Sequence, residues 1–498
     1  MRQAHTVDTV RAAEQRLMAR LPDGALMRRA AGALTTVCAR MLPRVYGSRV
    51  VLLVGSGDNG GDALYAGVGL ARRGASVRAV IAGSRVHEAG LAALRAAGGR
   101  ALFVRGEEPQ AGADAEAEIA AADLIVDGLL GIGGRGGLRA PHSGLAACAE
   151  SSPAPVVAVD LPSGVDADTG AVEGAAVRAD ATVTFGTHKP GLFVDPGAER
   201  AGVVEFADIG LGPELPDPRL EVPQAADIAA LLPEPGGEAD KYRRGVLGMA
   251  AGSQRYRGAA VLAVGGALRG GVGMVRYAGH RDAVAEVLHH WPEAVASELD
   301  PVDPLSSLPG RVAAWVIGPG RGLHPMAVLE LEAVLDTTLP VLIDADALTL
   351  VGRSPDLVRA RTAPTLLTPH SGEMSRLLRG TDRADIEANR LEHAVRAAEE
   401  YGCTVLLKGS TTVIAEPGRP AVANPTGTPL LATAGSGDVL AGLTGALLSG
   451  GLAPREAAMC GAYIHGLAAR LAYDGAPISA SALLPAVPEA IGTVLAAR

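Results

Sequence analysis

The segment NPTGTPLLATAGSGDVLAGLTGALLSG, residues 424–450, places a glycine turn directly before an apolar run of small residues. The run reads as a helix, and AGSGD (residues 434–438) reads as the loop that opens it. Glycines let the backbone turn tightly, and amides at a helix N-terminus converge on one anion. Asp438 falls in the first turn. A carboxylate there either caps the helix or takes a proton from a substrate hydroxyl facing a phosphate. The pattern GxGD alone leaves both readings open.

The surrounding segments favour the second. VLLKGSTTVI (residues 405–414) puts Lys408 and Gly409 at a strand end, where a lysine is either a solvated loop charge or a partner for phosphate. LLTPHSGEM (residues 366–374) puts His370 at a strand end before a helix opened by Ser371 or Gly372. That histidine reads either as a packed or capping residue or as a hydrogen-bond partner for a polar substrate. VIGPGRGL (residues 316–323) adds a second turn at Gly318, Gly320 and Gly322. Residues 241–275 read as a strand, a loop at 253–258 and a helix packed through Ala and Gly.

Short apolar runs alternate with amphipathic or Ala-rich stretches along most of the chain. RVVLLVG (49–55), LIVDGLLG (124–131) and PVVAVDLPSG (155–164) read as buried strands, with helices at 62–73 and 87–97 between them. A second series follows at 246–252, 312–320, 340–348, 364–370 and 404–410. Buried strands alternating with helices predict parallel sheets covered on both faces. The pattern lapses at GLGPELPDPRLEVPQ (210–224), rich in Pro and acid, which reads as a linker. Ligands bind outside the carboxyl ends of such strands, so two sites are expected.

A length of 498 residues suggests two to four domains. Aromatics are 3% of the chain against 48% hydrophobic residues, so the cores must be built from Ala, Val and Leu. The net charge of -9 argues against general nucleic-acid binding. The four cysteines, Cys38, Cys148, Cys403 and Cys460, lie far apart without a CxxC, as suits reduced thiols in a cytoplasmic protein. The N-terminus lacks the apolar stretch of a signal peptide, and no apolar run is long enough to span a membrane.

In the first half, VGSGDNGGDALYAGVGLARRG (54–74) has the glycine density of a dinucleotide loop without GxGxxG spacing. Asp62 reads there as a helix cap. Asp127 ends one strand and Asp160 another. With Asn59 and Ser163 they make an oxygen-rich set that suits a hard cation, monovalent or divalent.

The second half, about residues 226–498, resembles the ADP-dependent NAD(P)H-hydrate dehydratase family, a branch of the ribokinase-like α/β fold. The TPHxGE and KGS segments and the Ala-rich opening carry that resemblance. The first half, about residues 1–215, resembles the NAD(P)H-hydrate epimerase domain, a Rossmann-like three-layer α/β/α fold. Here the Asn-Gly-Gly-Asp loop, VDGLLGIG, VDLPSGVDADTG and THKPGLF carry it. The resemblance implies that ADP phosphorylates the hydroxyl of the hydrated nicotinamide ring, after which phosphate leaves and the double bond returns. It makes Asp438 the base of the dehydratase. Lys408, Gly409, Ser410, Thr411, Thr412, Gly435 and Gly437 would bind the nucleotide. Ala260, Gly320, Gly322, His370 and Asp438 would face the hydrated ring.

For the epimerase, the resemblance implies potassium on Asn59, Asp127 and Ser163, and proton transfer by Asp127. Asp58, Asn59, Gly60, Gly61 and Asp62 would contact substrate. So would Asp160 and the loop Gly131, Ile132, Gly133, Gly134, Arg135, Gly136 and Gly137. Magnesium is expected with ADP, and a homo-oligomer with no nucleic-acid or membrane partner. Five positions depart from the family pattern: Asp58 for a usual Asn, Ala63 for a usual Gly, Leu430-Leu431 for a frequent Gly-Met, and Tyr242 for a small residue. Two other readings stand beside this one. A small-alcohol kinase would share the GxGD chemistry but accumulate a stable phosphate ester, and in the other reading the first half alone serves as a binding scaffold.

Overall fold

Residues Arg49–Val54 carry nothing but Val and Leu after Arg49 and are buried from Val50 onward. Strands of a parallel sheet are covered on both faces and so read as unbroken apolar runs. Alternate side chains divide between the faces: Val50, Leu52 and Val54 join one core, Val51 and Leu53 another. The first core is completed by the helices Val7–Met18, Ala25–Met41, Asp58–Ala71 and Glu88–Ala96, through residues such as Val10, Leu34, Leu64 and Leu94. The second is completed by Leu145 and Ala149 of the helix His142–Ser151 and by Ile119. These are the three layers the alternation predicts.

This computed structural model describes residues 1–104, 109–233, 240–300 and 308–498. It divides into two compact units, Gln3–Leu220 and Glu221–Arg498 with Met1–Arg2. The stretch read as a linker is more ordered than its composition suggests. It holds a short turn of helix at Gly212–Glu214 and a strand at Leu220–Val222.

The first unit contains a seven-stranded parallel sheet ordered Arg100–Phe103, Ser76–Ile81, Arg49–Val54, Leu124–Gly128, Val156–Val159, Ala181–Phe185, Val203–Ala207. Strand order reverses between Arg49–Val54 and Leu124–Gly128, which opens a crevice at their carboxyl ends. The first of these strands leads into the helix that carries the Asn-Gly-Gly-Asp segment, and the second into the glycine loop of 131–137.

In the second unit, seven parallel strands run in the order Val295–Glu298, Met274–Gly279, Val246–Ala250, Ala314–Ile317, Val341–Ile343, Thr365–Leu367, Thr404–Leu407. The antiparallel strands Val413–Ala415 and Ala421–Ala423 extend the sheet. Order reverses here between Val246–Ala250 and Ala314–Ile317. The helix Ser436–Ser449 lies against Arg257–Arg269 with almost no room between backbones. A Cβ at Gly442 would stand 1.8 Å from the Ala263 carbonyl oxygen, so only glycine permits the approach. This accounts for the small-residue composition of residues 424–450. Among the described residues, no helix is long and apolar enough to cross a membrane.

One reading of the sequence is corrected. The helix after the first strand starts at Asp58, a full turn before Asp62, with Gly57 at its N-cap position. Asp62 therefore caps nothing. It lies in the second turn, buried, where the helix has no free amides to offer it.

Candidate active sites

In the first unit, strand ends bring Asn59, Asp127, Ser163 and Asp160 into one region. Asp127 is fully buried. Its carboxylate accepts from the Ser163 amide at 2.8 Å, the Ser163 hydroxyl at 2.7 Å and the Leu129 amide at 3.3 Å. Burial lifts its pKa to about 6 against the pull of those bonds. Two backbone carbonyls join the set. Leu130 O accepts from the Ser163 hydroxyl at 3.1 Å, and Val159 O accepts from the Asn59 side-chain Nδ2 at 2.5 Å. A Cβ on Gly131 would fall 2.2 Å from Asn59 Oδ1, so the glycine loop 131–137 begins in contact with the first turn of the helix Asp58–Ala71. From Gly131 to Gly137 that loop is half-buried or exposed, Arg135 outermost with Gly133, and open to a ligand.

The donor set is all oxygen and contains one carboxylate. Among the described residues no cluster of three or more His, Cys, Asp or Glu has metal-binding geometry. One carboxylate with an amide, a hydroxyl and carbonyls fits a weakly charged hard cation better than a divalent one, which draws more carboxylates.

Asp160 sits beside this set in a left-handed backbone conformation, φ 66°. Its Oδ1 accepts from the Phe185 amide at 3.0 Å and the Thr184 hydroxyl at 3.1 Å, and pairs with the Lys189 ammonium. Lys189 is 1% exposed and also donates to the Phe185 carbonyl at 3.2 Å. Sequence reasoning quoted the THKPGLF motif without giving Lys189 a task. The available signal was a lone lysine inside an otherwise uncharged stretch.

In the second unit, Asp438 occupies the first turn of Ser436–Ser449 and makes no capping bond. Gly435, at φ 88°, is the N-cap residue. A Cβ there would stand 2.5 Å from Leu262 Cδ1. Burial, then repulsion from Asp344, raises the Asp438 pKa to about 7, with Lys408 opposing. Lys408 is no solvated loop charge. Its Nζ bonds Asp344 Oδ1 at 2.6 Å and lies 3.7 Å from Glu373 Oε2. Burial works against its charge, yet these carboxylates hold its pKa above the ordinary value. A Cβ on Gly437 would be 3.5 Å from the same Nζ, so lysine and glycine turn face one space. Gly409 and Ser410 are exposed there, whereas Thr411 and Thr412 are buried.

His370 proves to be a capping residue in this structure. Its Nδ1 accepts from the Gly372 amide at 2.9 Å, and Glu373 returns a bond to the His370 amide at 2.9 Å. Burial lowers its pKa, so the ring is neutral, with its proton on Nε2 and available to a ligand. Gly320 and Gly322 adopt φ 60° and 84°. The Gly322 amide donates to Asp346 at 2.7 Å. Ala260 is fully buried in the core, so its methyl does not reach the site. Asp344 and Asp346, at the end of Val341–Ile343, were read only as a strand end. The structure makes Asp344 the partner of Lys408, also bonded by the Thr368 hydroxyl at 2.9 Å.

The chain is 48% identical over 476 residues to the bifunctional NAD(P)H-hydrate repair enzyme Nnr of Mycobacterium leprae, spanning 95% of this chain and 94% of that one. The chain belongs to the bifunctional NAD(P)H-hydrate repair enzyme family. The Mycobacterium tuberculosis member of this family is 49% identical over 463 residues, 92% of this chain and 91% of that one. Residues 247–487 match the family described as NAD(P)H-hydrate dehydratase, and residues 23–191 the YjeF-related protein N-terminus. The crystal structure of the Bacillus subtilis ADP/ATP-dependent NAD(P)H-hydrate dehydratase, grown with ATP and Mg2+, shares 29% identity. It covers 54% of this chain and 97% of its own, with a TM-score of 0.49.

Proposed function

We propose that this chain repairs hydrated NADH and NADPH in two steps. An epimerase unit, residues 1–215, interconverts the R and S hydrates. A dehydratase unit, residues 226–498, returns the S form to NAD(P)H while ADP becomes AMP and phosphate. The observation that carries the second step is Asp438, held near neutrality at the mouth of a glycine-rich helix N-terminus and facing Lys408. A base poised near the working pH removes a proton most effectively.

In this reading Asp438 takes the proton from the ring hydroxyl, and the oxygen attacks the β-phosphorus of ADP, displacing AMP. Amides at Gly435 and Gly437 receive the phosphate charge. Lys408, Gly409 and Ser410 lie along the nucleotide, with Thr411 and Thr412 shaping the turn behind them. Gly320, Gly322 and the His370 Nε2 proton face the ring. Phosphate then leaves carbon with its electron pair, the neighbouring carbon loses a proton, and the double bond is restored. Asp344, Glu373 and Asp438 outnumber the one ammonium of Lys408, so a nucleotide polyanion fits best with magnesium, which neutralises phosphate charge when bound.

In the epimerase unit, Asn59, Asp127 and Ser163, with the Leu130 and Val159 carbonyls, would hold potassium. That ion would offset the buried Asp127 charge. Asp160 and the loop 131–137 would contact the hydrated cofactor. A product assay with S-hydrate and ADP tests the dehydratase. The expected result is one AMP and one free phosphate for each NADH formed. Accumulation of a stable phosphate ester would instead establish a small-molecule kinase.

A further inference from the structure

The first unit has a cavity of about 310 Å³ between the end of Val7–Met18, the start of Ala25–Met41 and the helix Asp58–Ala71. Met18, Leu26, Met27 and Phe185 give it apolar walls, and Glu14, Asp58 and Asp62 give it an acidic end. Asp62 is 7% exposed, and its Oδ1 has no hydrogen-bond partner in the structure. A buried polar atom left unpaired is unfavourable, and Asp62 lines this cavity, so a group bound in it is the expected partner. Asp127 differs from it, because both of its oxygens already accept hydrogen bonds, from the Ser163 amide and hydroxyl and the Leu129 amide.

We propose that Asp62 binds the hydroxyl of the hydrated nicotinamide ring in this cavity and donates the proton on which epimerisation depends. The proposal rests on the epimerase reading of this unit and replaces Asp127 as the proton donor. The carboxyl proton passes to the ring hydroxyl, the carbon–oxygen bond breaks with its electron pair going to oxygen, and water leaves. The ring nitrogen lone pair closes to an iminium. Water then adds to the opposite face and releases a proton to solvent, and the Asp62 carboxylate regains one from solvent. Nothing is oxidised or reduced, and no co-reactant is consumed.

The surroundings suit both states. Burial first, then the neighbouring Asp160, Asp58 and Glu14, push the Asp62 pKa well above its ordinary value, which favours the protonated acid. The acidic end favours the transient cation and disfavours phosphate, so the ring end of the cofactor enters. Glu14 and Arg11 face this region from one helix, Asp23 and His87 from the cavity wall, while Lys189 is paired with Asp160.

The test uses the full chain with pure R-hydrate and no ADP, so that only epimerisation is read. Asp62→Asn keeps shape and polarity but has no acidic proton. The expected result is a kcat roughly 100-fold lower or worse. KM should be little changed, S-hydrate dehydration in a parallel assay undiminished, and the decline of wild-type rate with rising pH lost. Wild-type kcat in Asp62→Asn overturns the proposal alone, as does a variant that loses only KM. A wild-type chain that fails to epimerise overturns the epimerase reading, and this proposal with it.

Discussion

Asp438→Asn is expected to lower dehydratase kcat by about 10³-fold, within the range of about 10²–10⁴ that a positioned base contributes. Asparagine preserves the side-chain shape at the helix N-terminus but accepts no proton. The amides of Gly435 and Gly437 and the Lys408–Asp344 pair are untouched, so the KM for ADP should change little. The pH dependence gives an independent check. Asp438 must be ionised to act, and its pKa is raised to about 7, so the wild-type rate should climb with pH and level off above that value. Kinetics of the variant should show a low rate with no inflection there. A variant that retains wild-type kcat would return Asp438 to a structural role.

Lys189→Met should destabilise the first unit by about 3–5 kcal/mol, the usual cost of removing one partner from a buried ion pair. The pair is enclosed: Lys189 is 1% exposed and Asp160 is 6% exposed. Without the ammonium, the carboxylate keeps only the Phe185 amide and the Thr184 hydroxyl. Asp160 also holds a left-handed backbone conformation that a non-glycine residue adopts only when its surroundings enforce it. Denaturant unfolding of the full chain should show an early transition in the variant while dehydratase activity survives. An unchanged unfolding profile would mean that the pair contributes little to the fold.

How much of this was legible in the sequence depends on range. Parallel strands buried on both faces leave unbroken runs such as VVLLV, and the loops at their ends announce themselves by glycine and acid. Asn59, Asp127, Asp160, Ser163 and Asp438 stand out in that way. Pairings across the fold were not. The pairing of Lys408 with Asp344, 64 residues away, leaves no local sign in the sequence. Arg321 looked like part of a glycine turn, yet it is buried and ion-paired with Glu330. Glu14 gave no local signal, because only folding brings its helix to the cavity. Asp62 was misread for a different reason. Two glycines in DNGG suggested a loop, and the helix ran through them because Gly60 and Gly61 are packed too closely for side chains. A Cβ at Gly60 would meet the Gly55 carbonyl oxygen at 2.5 Å.

The most direct measurement is the near-ultraviolet absorbance of NADH after the purified chain meets mixed R and S hydrates with ADP, magnesium and potassium. Recovery of all the NADH, beyond the S fraction, is the predicted result and requires both units to act. Recovery limited to the S fraction would contradict the epimerase assignment, and no recovery at all would contradict the dehydratase.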